Sequence, residues 1–409
     1  MSEWKKVKLG EICERVTSGG TPKANVSSYY NPPTIPWLKT KEVNYCRITE
    51  TENYISEEGL KNSSAKLISP NSVIIAMYGQ GDTAGRIAIN KIPLATNQAC
   101  CNLTIDKSKA DYEFIYYQLC TLYDKLVSLK AGAAQPNLNA RIIKNLEIIM
   151  PSLPIQHRIA SILSRYDSLI ENYQKQIKLL EEAAQRLYKE WFIDLHFPGH
   201  ENTNIIDGVP EGWEKKTIDD VTCKITTGLN PRKNFVLGKG SNYYVTIKNM
   251  ADNTLFLDDR CDRVDNEALE KINKRSDLKI GDILFSGIGT IGRVALVDIP
   301  TNNWNVSESV FTLRANDIVT KEFLYLILLS PDMQNYCQSN AHGAAQKGIR
   351  MADLKAYSFY LPPFGVIQKF TNLVTPTIKK VSSIRNQIRL LTEARDRLLP
   401  QLMSGRIVL

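Results

Sequence analysis

A run of about 18 apolar residues, the length of a membrane-spanning helix, is absent from this sequence of 409 residues. The amino terminus, MSEWKKVKLGEI, also lacks the apolar core of a signal peptide. We therefore expect a soluble, cytoplasmic protein that is neither exported nor bound to a membrane.

Paired cysteines are missing as well. The eight cysteines form no CxxC motif and show no Cys–His spacing of the kind that binds zinc. Neither a metal site nor a disulfide framework is therefore predicted. Such cysteine usage is typical of proteins in a reducing cytoplasm.

A strong excess of one charge is also missing. The sequence has 51 Lys and Arg against 43 Asp and Glu, with a formal charge of +8 and a pI near 8.9. This mild bias favours polyanionic partners such as nucleic acid without requiring them. The apolar content of 43% and the charged content of 23% are typical of globular chains, and the length allows two or three domains.

Two motifs with catalytic associations are incomplete. Residues 287–292 spell GxGxxG after a β-type run, but the RVALVDIP that follows is another β-type run, whereas a dinucleotide site needs a helix there. We expect a tight turn between strands. Residues 31–34 read NPPT, in which Thr34 stands where adenine-N6 methyltransferases carry an aromatic residue.

The other candidate clusters lack the spacing of an active site. The segment around Asp207, Glu214 and Lys216 resembles a linker, and His196 and His200 flank a turn without further ligands. His157 and His342 have no nucleophile or carboxylate at a supporting spacing. We therefore predict no catalytic residue and no metal ligand in this chain.

What the sequence does contain is a long amphipathic segment, residues 159–191, without Gly or Pro. Apolar residues recur there at alternating steps of four and three, which is the pattern of a coiled-coil helix. At about 1.5 Å per residue, this helix would be roughly 50 Å long. The predicted seam consists of Ile159, Leu163, Tyr166, Ile170, Tyr173, Ile177, Leu180, Ala184, Leu187 and Trp191.

A second copy of this helix lies near the carboxyl terminus, 211 residues further on. QIKLLEEAAQRL (176–187) matches QIRLLTEARDRL (387–398). Arg395 falls on the seam where the first copy has Ala184, so we expect it either to extend into solvent or to pair with a carboxylate of the partner helix. The second seam consists of Val381, Ile384, Ile388, Leu391, Arg395, Leu398 and Leu402.

The duplication extends along the whole chain. EWKKVKLGEICERVTSGGTPK (3–23) matches GWEKKTIDDVTCKITTGLNPRK (212–233), AGRIAI (84–89) matches IGRVAL (291–296), and GAAQ occurs at both 132–135 and 343–346. Such a repeat predicts one structural unit built twice. The predicted segments are a globular domain at 1–150, a helix at 151–195, a linker at 196–212, a second globular domain at 213–361 and a second helix at 362–409.

The predicted fold class is α+β. β-type runs such as SVIIAMY and DILFSG alternate with helical stretches such as YEFIYYQLCTLYDKLVSL in each copy. A long helix cannot bury its apolar stripe alone, and its evident partner is the other copy. We therefore expect two tandem α/β domains, related by a pseudo-twofold axis and separated by two long antiparallel helices that form a coiled coil.

Basic and amide residues near the predicted loops, together with the acidic Glu308, are the candidate DNA contacts. Arg and Lys suit phosphate and guanine, whereas Asn and Gln suit the edge of adenine. Arg86 and Arg293 are the strongest candidates, because each directly follows a glycine turn. The full set is Lys23, Lys39, Lys41, Gln80, Arg86, Asn97, Gln98, Gln135 and Asn137 in the first copy, and Arg232, Lys233, Lys248, Asn249, Arg293, Glu308, Gln346 and Lys347 in the second.

Several segments resemble the DNA specificity subunits of Type I restriction-modification enzymes, over essentially the whole chain. They are LPIQHRIASIL, LLEEAAQRLYKEWF, PEGW and LTEARDRLLPQLMSGRI. The resemblance implies that the two globular domains are target recognition domains, each reading one half of a bipartite DNA sequence. It also implies that the long helices are spacers that set the gap between the halves.

The same resemblance implies a non-catalytic role. Two modification subunits would bind S-adenosylmethionine and methylate adenine, restriction subunits would use ATP and Mg²⁺ to translocate and cut DNA, and this chain itself would need no cofactor. Two alternatives remain open from the residues alone. The chain could be an autonomous adenine-N6 DNA methyltransferase, or a coiled-coil adaptor that does not read DNA.

Overall fold

The chain folds into two compact units. In the computed structural model, which describes residues 4–130, 137–232, 234–251, 253–343 and 347–407, unit 1 comprises Met1–Asn172 with Arg389–Leu409, and unit 2 comprises Tyr173–Ile388. Each unit contains one α/β domain and a part of each of two long helices. Among the described residues, no helix is long and apolar enough to cross a membrane.

Unit 1 is built from small sheets covered by short helices. Its strands are β1 (Lys5–Lys8), β2 (Cys13–Ser18), β3 (Ile35–Leu38), β4 (Cys46–Ile48), β5 (Tyr54–Ile55), β6 (Leu67–Ile68), β7 (Val73–Ala76), β8 (Ile87–Asn90), β9 (Leu94–Thr96), β10 (Cys100–Ile105) and β11 (Glu147–Met150). Its helices are α1 (Glu57–Lys61), α2 (Tyr112–Cys120), α3 (Tyr123–Ser128) and α4 (Ala140–Lys144). The sheet orders are β1-β11, β2-β10-β7-β8-β4 and β5-β3-β9-β6.

Unit 2 repeats this plan. Its strands are β12 (Ile205–Ile206), β13 (Val209–Pro210), β14 (Glu214–Thr217), β15 (Thr222–Thr227), β16 (Asn242–Val245), β17 (Met250–Ala251), β18 (Thr254–Leu255), β19 (Asp262–Val264), β20 (Ile283–Ser286), β21 (Val294–Leu296), β22 (Trp304–Val306), β23 (Val310–Ala315) and β24 (Ser358–Leu361). Its helices are α6 (Asn266–Ser276), α7 (Lys321–Leu329), α8 (Pro331–Ser339) and α9 (Met351–Ala356). The sheet orders are β12-β13, β14-β24, β15-β23-β20-β21, β19-β16-β22 and β17-β18.

Matching elements confirm the tandem α/β organisation predicted from the repeats. Strand β7 recurs as β20, both fully buried, and helix α2 recurs as α7. The two helices also have equivalent N-caps. The side chain of Asp111 accepts a hydrogen bond from the N–H of Phe114, and that of Thr320 accepts one from the N–H of Phe323. The same local chemistry therefore starts the same helix in each copy.

The GxGxxG segment forms the turn of a β-hairpin, as its sequence context predicts. Strands β20 and β21 pair antiparallel on either side of it. Gly289 and Gly292 adopt positive φ angles of 81° and 90°, which favour glycine. No helix begins there, so the geometry of a dinucleotide-binding turn is not formed.

The long helices are α5 (Leu153–Phe192) and α10 (Phe364–Met403), each 40 residues long. Helix α5 lies within the predicted helical segment 151–195 and begins six residues before the heptad pattern at Ile159. Pro154 is in its first turn, where the missing N–H of proline costs nothing. At about 1.5 Å per residue, each helix is about 60 Å long. Helix α10 also accommodates Pro376 and Pro400, although proline usually interrupts a helix.

The seam predicted from the heptads faces inward to different degrees. Ile170, Val381 and Ile384 are buried. Half-buried positions are Tyr173, Ile177, Leu180, Leu187, Ile388, Leu391 and Leu398. The structure also buries Asp167 and Tyr188, which the apolar pattern did not predict for the seam.

In each unit, α5 and α10 pack antiparallel. In unit 1, Asp167 bonds Arg395 at 2.6 Å, while the earlier Leu163 shares a core with the later Leu402. In unit 2, the order is the same, since Glu181 bonds Arg385 at 2.6 Å and the later Trp191 packs on the earlier Phe370. The pairing of Arg395 with Asp167 resolves the two possibilities left by the sequence in favour of a partner carboxylate.

Candidate nucleic-acid interface

One edge of the first domain gathers the ends of several strands. Strands β3 and β9 run parallel, so Lys39 and Asn97 follow them at the same edge, and the N–H of Asn97 donates to the carbonyl of Leu38 at 2.9 Å. The turn after β7 joins this edge, because the N–H of Met77 donates to the carbonyl of Ala99 at 2.7 Å. We call this set of loops, residues 19–23, 39–42, 77–86 and 97–99, the first reading edge.

The second domain builds the same edge with the same hydrogen bonds. The N–H of Ser307 donates to the carbonyl of Val245 at 2.8 Å, and the N–H of Gly287 donates to the carbonyl of Ser309 at 3.0 Å. Strands β16 and β22 are parallel, as β3 and β9 are. The second reading edge is defined as residues 228–232, 246–249, 287–293, 307–309 and 347.

A glycine at a close backbone crossing supports each edge. A Cβ on Gly19 would lie 2.2 Å from the carbonyl oxygen of Thr96, and a Cβ on Gly228 would lie 1.5 Å from that of Val306. Only glycine fits such an approach. The loop after β2, and likewise the loop after β15, can therefore cross over the neighbouring strand and enter the edge.

Beyond this crossing, each edge places a polar pair at the same position. In the first domain, the Thr21 hydroxyl donates to the side chain of Gln98. In the second, the Asn230 amide donates to the carboxylate of Glu308 at 2.8 Å. The Tyr244 hydroxyl donates to the carbonyl of Leu229 at 2.7 Å and lies 3.2 Å from the carboxylate of Glu308. The same framework thus presents an amide in one domain and a carboxylate in the other.

Arg86 lies in the turn of the first edge and is paired with a local carboxylate. Its guanidinium donates to Asp82 at 2.6 Å, and its side chain is 23% exposed. The hydrogen bond from Arg86 lowers the pKa of Asp82, so this aspartate is charged at neutral pH. Arg86 is available to a phosphate only in competition with Asp82.

Arg293 occupies the matching position but points elsewhere. Its guanidinium donates to the backbone carbonyls of Ile247, at 3.0 Å, and Met250. It therefore stabilises the 3-10 turn Ile247–Asn249 that carries the exposed Lys248. Arg293 therefore differs from Arg86 in its partners, which are backbone carbonyls and not a carboxylate. A direct contact of Arg293 with DNA stays a prediction.

Asn249, a candidate DNA contact in the sequence, is buried in the structure. Its side chain is 1% exposed, and its amide oxygen accepts a hydrogen bond from the backbone N–H of Thr246 at 2.9 Å. This side chain closes the turn and does not reach the surface. A polar residue in a loop need not lie on the surface, because an Asn side chain commonly accepts hydrogen bonds from the nearby backbone.

The two lysines of the first edge are held by neighbours. The Lys39 ammonium donates to Asn53 at 3.0 Å and lies over the Trp37 ring, 5.0 Å from its centroid. Lys41 forms a salt bridge with Glu52, and the hydrogen bond in that pair raises the pKa of Lys41. Lys41 therefore stays positively charged at neutral pH.

The remaining candidates divide by exposure. Lys23, Gln80, Arg232 and Lys347 are exposed, and Asn137 is half-buried. The carbonyl of Lys347 accepts the N–H of Gly289 at 2.7 Å, which brings this lysine to the hairpin turn. Gln135, Lys233 and Gln346 lie outside the described residues.

The sequence set omitted Thr21, Asn230 and Tyr244, which the structure places at the edges. A signal for the first two was available, since both directly precede the repeated prolines Pro22 and Pro231. Tyr244 lies inside a strand, and only its hydroxyl reaches the edge. Hydrophobic pattern alone assigns such a residue to the core.

The fold and its repeated edges define a class: a tandem α/β recognition protein with a long helix after each domain. The model of the Type I restriction modification DNA specificity domain matches residues 1–182 and again residues 210–388. These ranges cover most of the sequence, so the chain belongs to the family of Type I DNA specificity subunits.

Individual relatives agree with this assignment. The Type I restriction enzyme MjaIX specificity subunit of Methanocaldococcus jannaschii is 28% identical, over 99% of this chain and 94% of that protein. The HindI specificity subunit of Haemophilus influenzae is 22% identical, over 100% of both. The crystal structure of the Type I S subunit from M. genitalium shares the fold, with a TM-score of 0.62 at 17% identity over 98% of this chain and 96% of that one.

The family resemblance deduced from the helical motifs is thereby confirmed. The specificity domain occurs twice, in the two halves where the repeat was found. The alternatives of an autonomous methyltransferase and of an adaptor receive no support from these matches.

Proposed function

We propose that each reading edge recognises one half of a bipartite DNA target and that the chain thereby directs adenine methylation and cleavage by partner subunits. One observation carries this function: the backbone of the edge is the same in both domains, while the side chains on it differ. Gln98 in one corresponds to Glu308 in the other. Glutamine suits adenine, whereas a carboxylate accepts from the amino group of cytosine.

Phosphate contacts would come from the positive residues around these side chains. Exposed and half-buried lysines and arginines flank both edges, and their contacts with phosphate would fix orientation without reading sequence. The set is Lys23, Lys39, Lys41 and Arg86 at the first edge, with Asn97 and Gln80 as amides, and Arg232, Lys248 and Lys347 at the second. This division assigns affinity to the basic residues and specificity to Gln98 and Glu308.

The long helices would set the gap between the two halves. One turn of DNA rises about 34 Å, and a helix of 40 residues extends about 60 Å. A stiff pair of this length is long enough to hold two readers at neighbouring turns of one DNA duplex.

Catalysis would belong to the partners. S-adenosylmethionine would bind the modification subunits, and ATP with Mg²⁺ the restriction subunits, so this chain would supply no catalytic residue and no cofactor site. The outer faces of α5 and α10 suit two copies of one partner, because similar residues recur at matching positions of the two helices. Leu179 and Leu390 are 65% and 49% exposed, and each lies between a basic residue and a Glu in the matching runs KLLEE and RLLTE.

The DNA function can be tested on the complex with its cognate modification subunits. We expect Arg86→Ala and Lys248→Ala to weaken binding to all sequences and to reduce the dependence of affinity on salt by about one phosphate contact each. Glu308→Gln should instead change the preferred base in one half of the target only.

Lysines at the far ends of the sheets provide matched controls. Lys109 follows β10 and Lys321 follows β23, both away from the edges, and their side chains are 52% and 44% exposed. Alanine at either should leave the salt dependence unchanged. Equal losses for the edge and control variants would contradict the assignment of the edges.

A further inference from the structure

Arg47 connects the first domain to the long helices through a buried polar network. It lies on β4, and its side chain is only 6% exposed. Its guanidinium is 3.2 Å from the carboxylates of both Asp167 and Glu171 on α5, and it donates to the Tyr117 hydroxyl at 3.0 Å. A charge from the domain is thus inserted among the acidic groups of the helix.

Asp167 is the centre of this network. One of its oxygens accepts from the Tyr117 hydroxyl at 2.5 Å, and the other accepts from Arg395 of α10 at 2.6 Å. Glu113, 3.6 Å from Arg47, extends the network to Lys91 at 3.3 Å. The domain, α5 and α10 therefore meet at one carboxylate.

The network lies one strand away from the first reading edge. Strand β4 pairs in parallel with β8, placing Arg47 opposite Ile89. The N–H of Tyr45, just before β4, donates to the carbonyl of Ile87 at 2.7 Å. Ile87 directly follows Arg86, so the paired strands β4 and β8 connect Arg47 with the turn that carries Arg86.

The second domain is attached differently. The positions that match Asp167 and Arg395 are Ile378 and Ala184, which belong to one apolar cluster in unit 2. Its polar contacts with the helices include the hydrogen bond between the Thr320 and Thr371 hydroxyls at 2.7 Å and the one from Gln185 to the carbonyl of Leu326 at 3.4 Å. The pair of Arg385 with Glu181 joins the two helices and lies near the Tyr325 hydroxyl. The sheet that corresponds to the one holding β4 ends at β21 among the residues the structure describes.

We propose that Arg47 fixes the orientation of the first recognition domain on α5 and α10, and so determines how strictly the gap between the two half-sites is read. Buried ion pairs contribute little net stability, but their hydrogen-bond geometry selects one arrangement over others. Apolar packing at the same place would hold the domain while permitting small rotations. Arg47 is thus a positioning residue, and its role presupposes the proposed bipartite reading.

Small rotations matter at the scale of a base pair. A domain of about 150 residues has a radius near 20 Å. A rotation of about 10° about the anchor therefore moves a point one radius away from it by about 3.5 Å. Successive base pairs are about 3.4 Å apart. A loosened anchor would therefore permit gaps one base pair shorter or longer than the native one.

The test is methylation of a DNA library in which the two half-sites are separated by the native gap and by one base pair more or less. The complex would carry Arg47→Met, Tyr117→Phe, Asp167→Ile and Arg395→Ala together. These substitutions remove the central carboxylate with its three partners and copy the Ile–Ala pair of unit 2. We expect the preference for the native gap to fall at least tenfold, with the half-site sequences unchanged.

A conservative single substitution keeps the proposal testable if the fourfold variant misfolds. Arg47→Lys keeps the charge but loses the forked geometry of the guanidinium, and should reduce the gap preference to an intermediate degree. Lys109→Ala serves as the control and should behave as the wild type. An unchanged gap profile, or an equal loss of methylation at every gap, in Arg47→Lys and in the fourfold variant would overturn the proposal. Failure of the wild type to select a bipartite site would instead refute the proposed function.

Discussion

At the scale of single residues, the buried pair of Asp167 and Arg395 shows how one charge can specify a helix interface. Asp167 is 7% exposed, and Arg395→Ala would leave one oxygen of its carboxylate without the hydrogen bond from Arg395, while Arg47 and Tyr117 remain as partners. We expect this substitution to lower the free energy of unfolding by about 2 kcal/mol. Urea denaturation of the purified chain would measure this change.

A surface arginine gives the matched control. Arg260 bonds Asp258 at 2.5 Å, but its side chain is 62% exposed, and exposed pairs contribute at most about 1 kcal/mol. Arg260→Ala should therefore be nearly neutral. If both alanine variants lowered the free energy of unfolding by the same small amount, Arg395 would not be a specific partner of the Asp167 carboxylate.

The crossing glycines lead to a second residue-scale prediction. Gly228→Ala forces a Cβ into the carbonyl of Val306, so we expect a loss of more than about 2 kcal/mol and a distorted second edge. Gly365 lies in the first turn of α10, and a Cβ added there would meet no neighbouring atom within 4 Å. Gly365→Ala should be neutral or stabilise the chain by up to about 1 kcal/mol. Thermal unfolding of both variants would decide, and equal melting temperatures would contradict the crossing.

Residue identity was predictable from the sequence more often than residue orientation. Arg86 and Arg293 follow the same glycine turn, but four residues earlier the first copy has Asp82 where the second has Gly289. Without that carboxylate, Arg293 turns to the carbonyls of Ile247 and Met250. The local difference was visible in the sequence; the carbonyls that replace Asp82 come from a distant segment and were not.

At the scale of elements, the long helices were the most predictable part of the chain. Their heptads specify an apolar stripe directly, and the structure buries Ile170, Val381 and Ile384 on it. The heptads alone do not specify the ends, since α5 starts at Leu153, before the pattern begins at Ile159, in a segment with a proline. Helix α10 likewise continues through Pro376 and Pro400, where packing of the stripe outweighs local propensity.

The spacer role of these helices gives an element-scale prediction. Inserting one heptad at matching positions of α5 and α10 keeps the seam in register and lengthens each helix by about 10 Å. We expect the gap of the recognised site to grow by about two or three base pairs, with both half-sites unchanged. Methylation of a library of variable gaps would measure it. An unchanged gap would count against a spacer role for the helices.

At the scale of the whole molecule, duplication is the feature that the sequence revealed most completely. A nearly constant offset connects elements as different as the hairpin β7–β8, the helix α2 and the long helix α5 with their second copies. The offset could not predict which edge of each sheet carries the candidate contacts, because that depends on the parallel pairing of β3 with β9 and of β16 with β22. Such pairing joins segments far apart in sequence.

The central claim is that two edges of one framework read two different half-sites. The most direct measurement is single-molecule sequencing of methylated adenines in DNA from cells that express this chain with its cognate modification subunit. We predict one split motif, with two different short halves, a fixed gap and one modified adenine in each half. A continuous motif, or methylation without any motif despite a stable complex, would contradict the claim that the chain reads DNA through both domains.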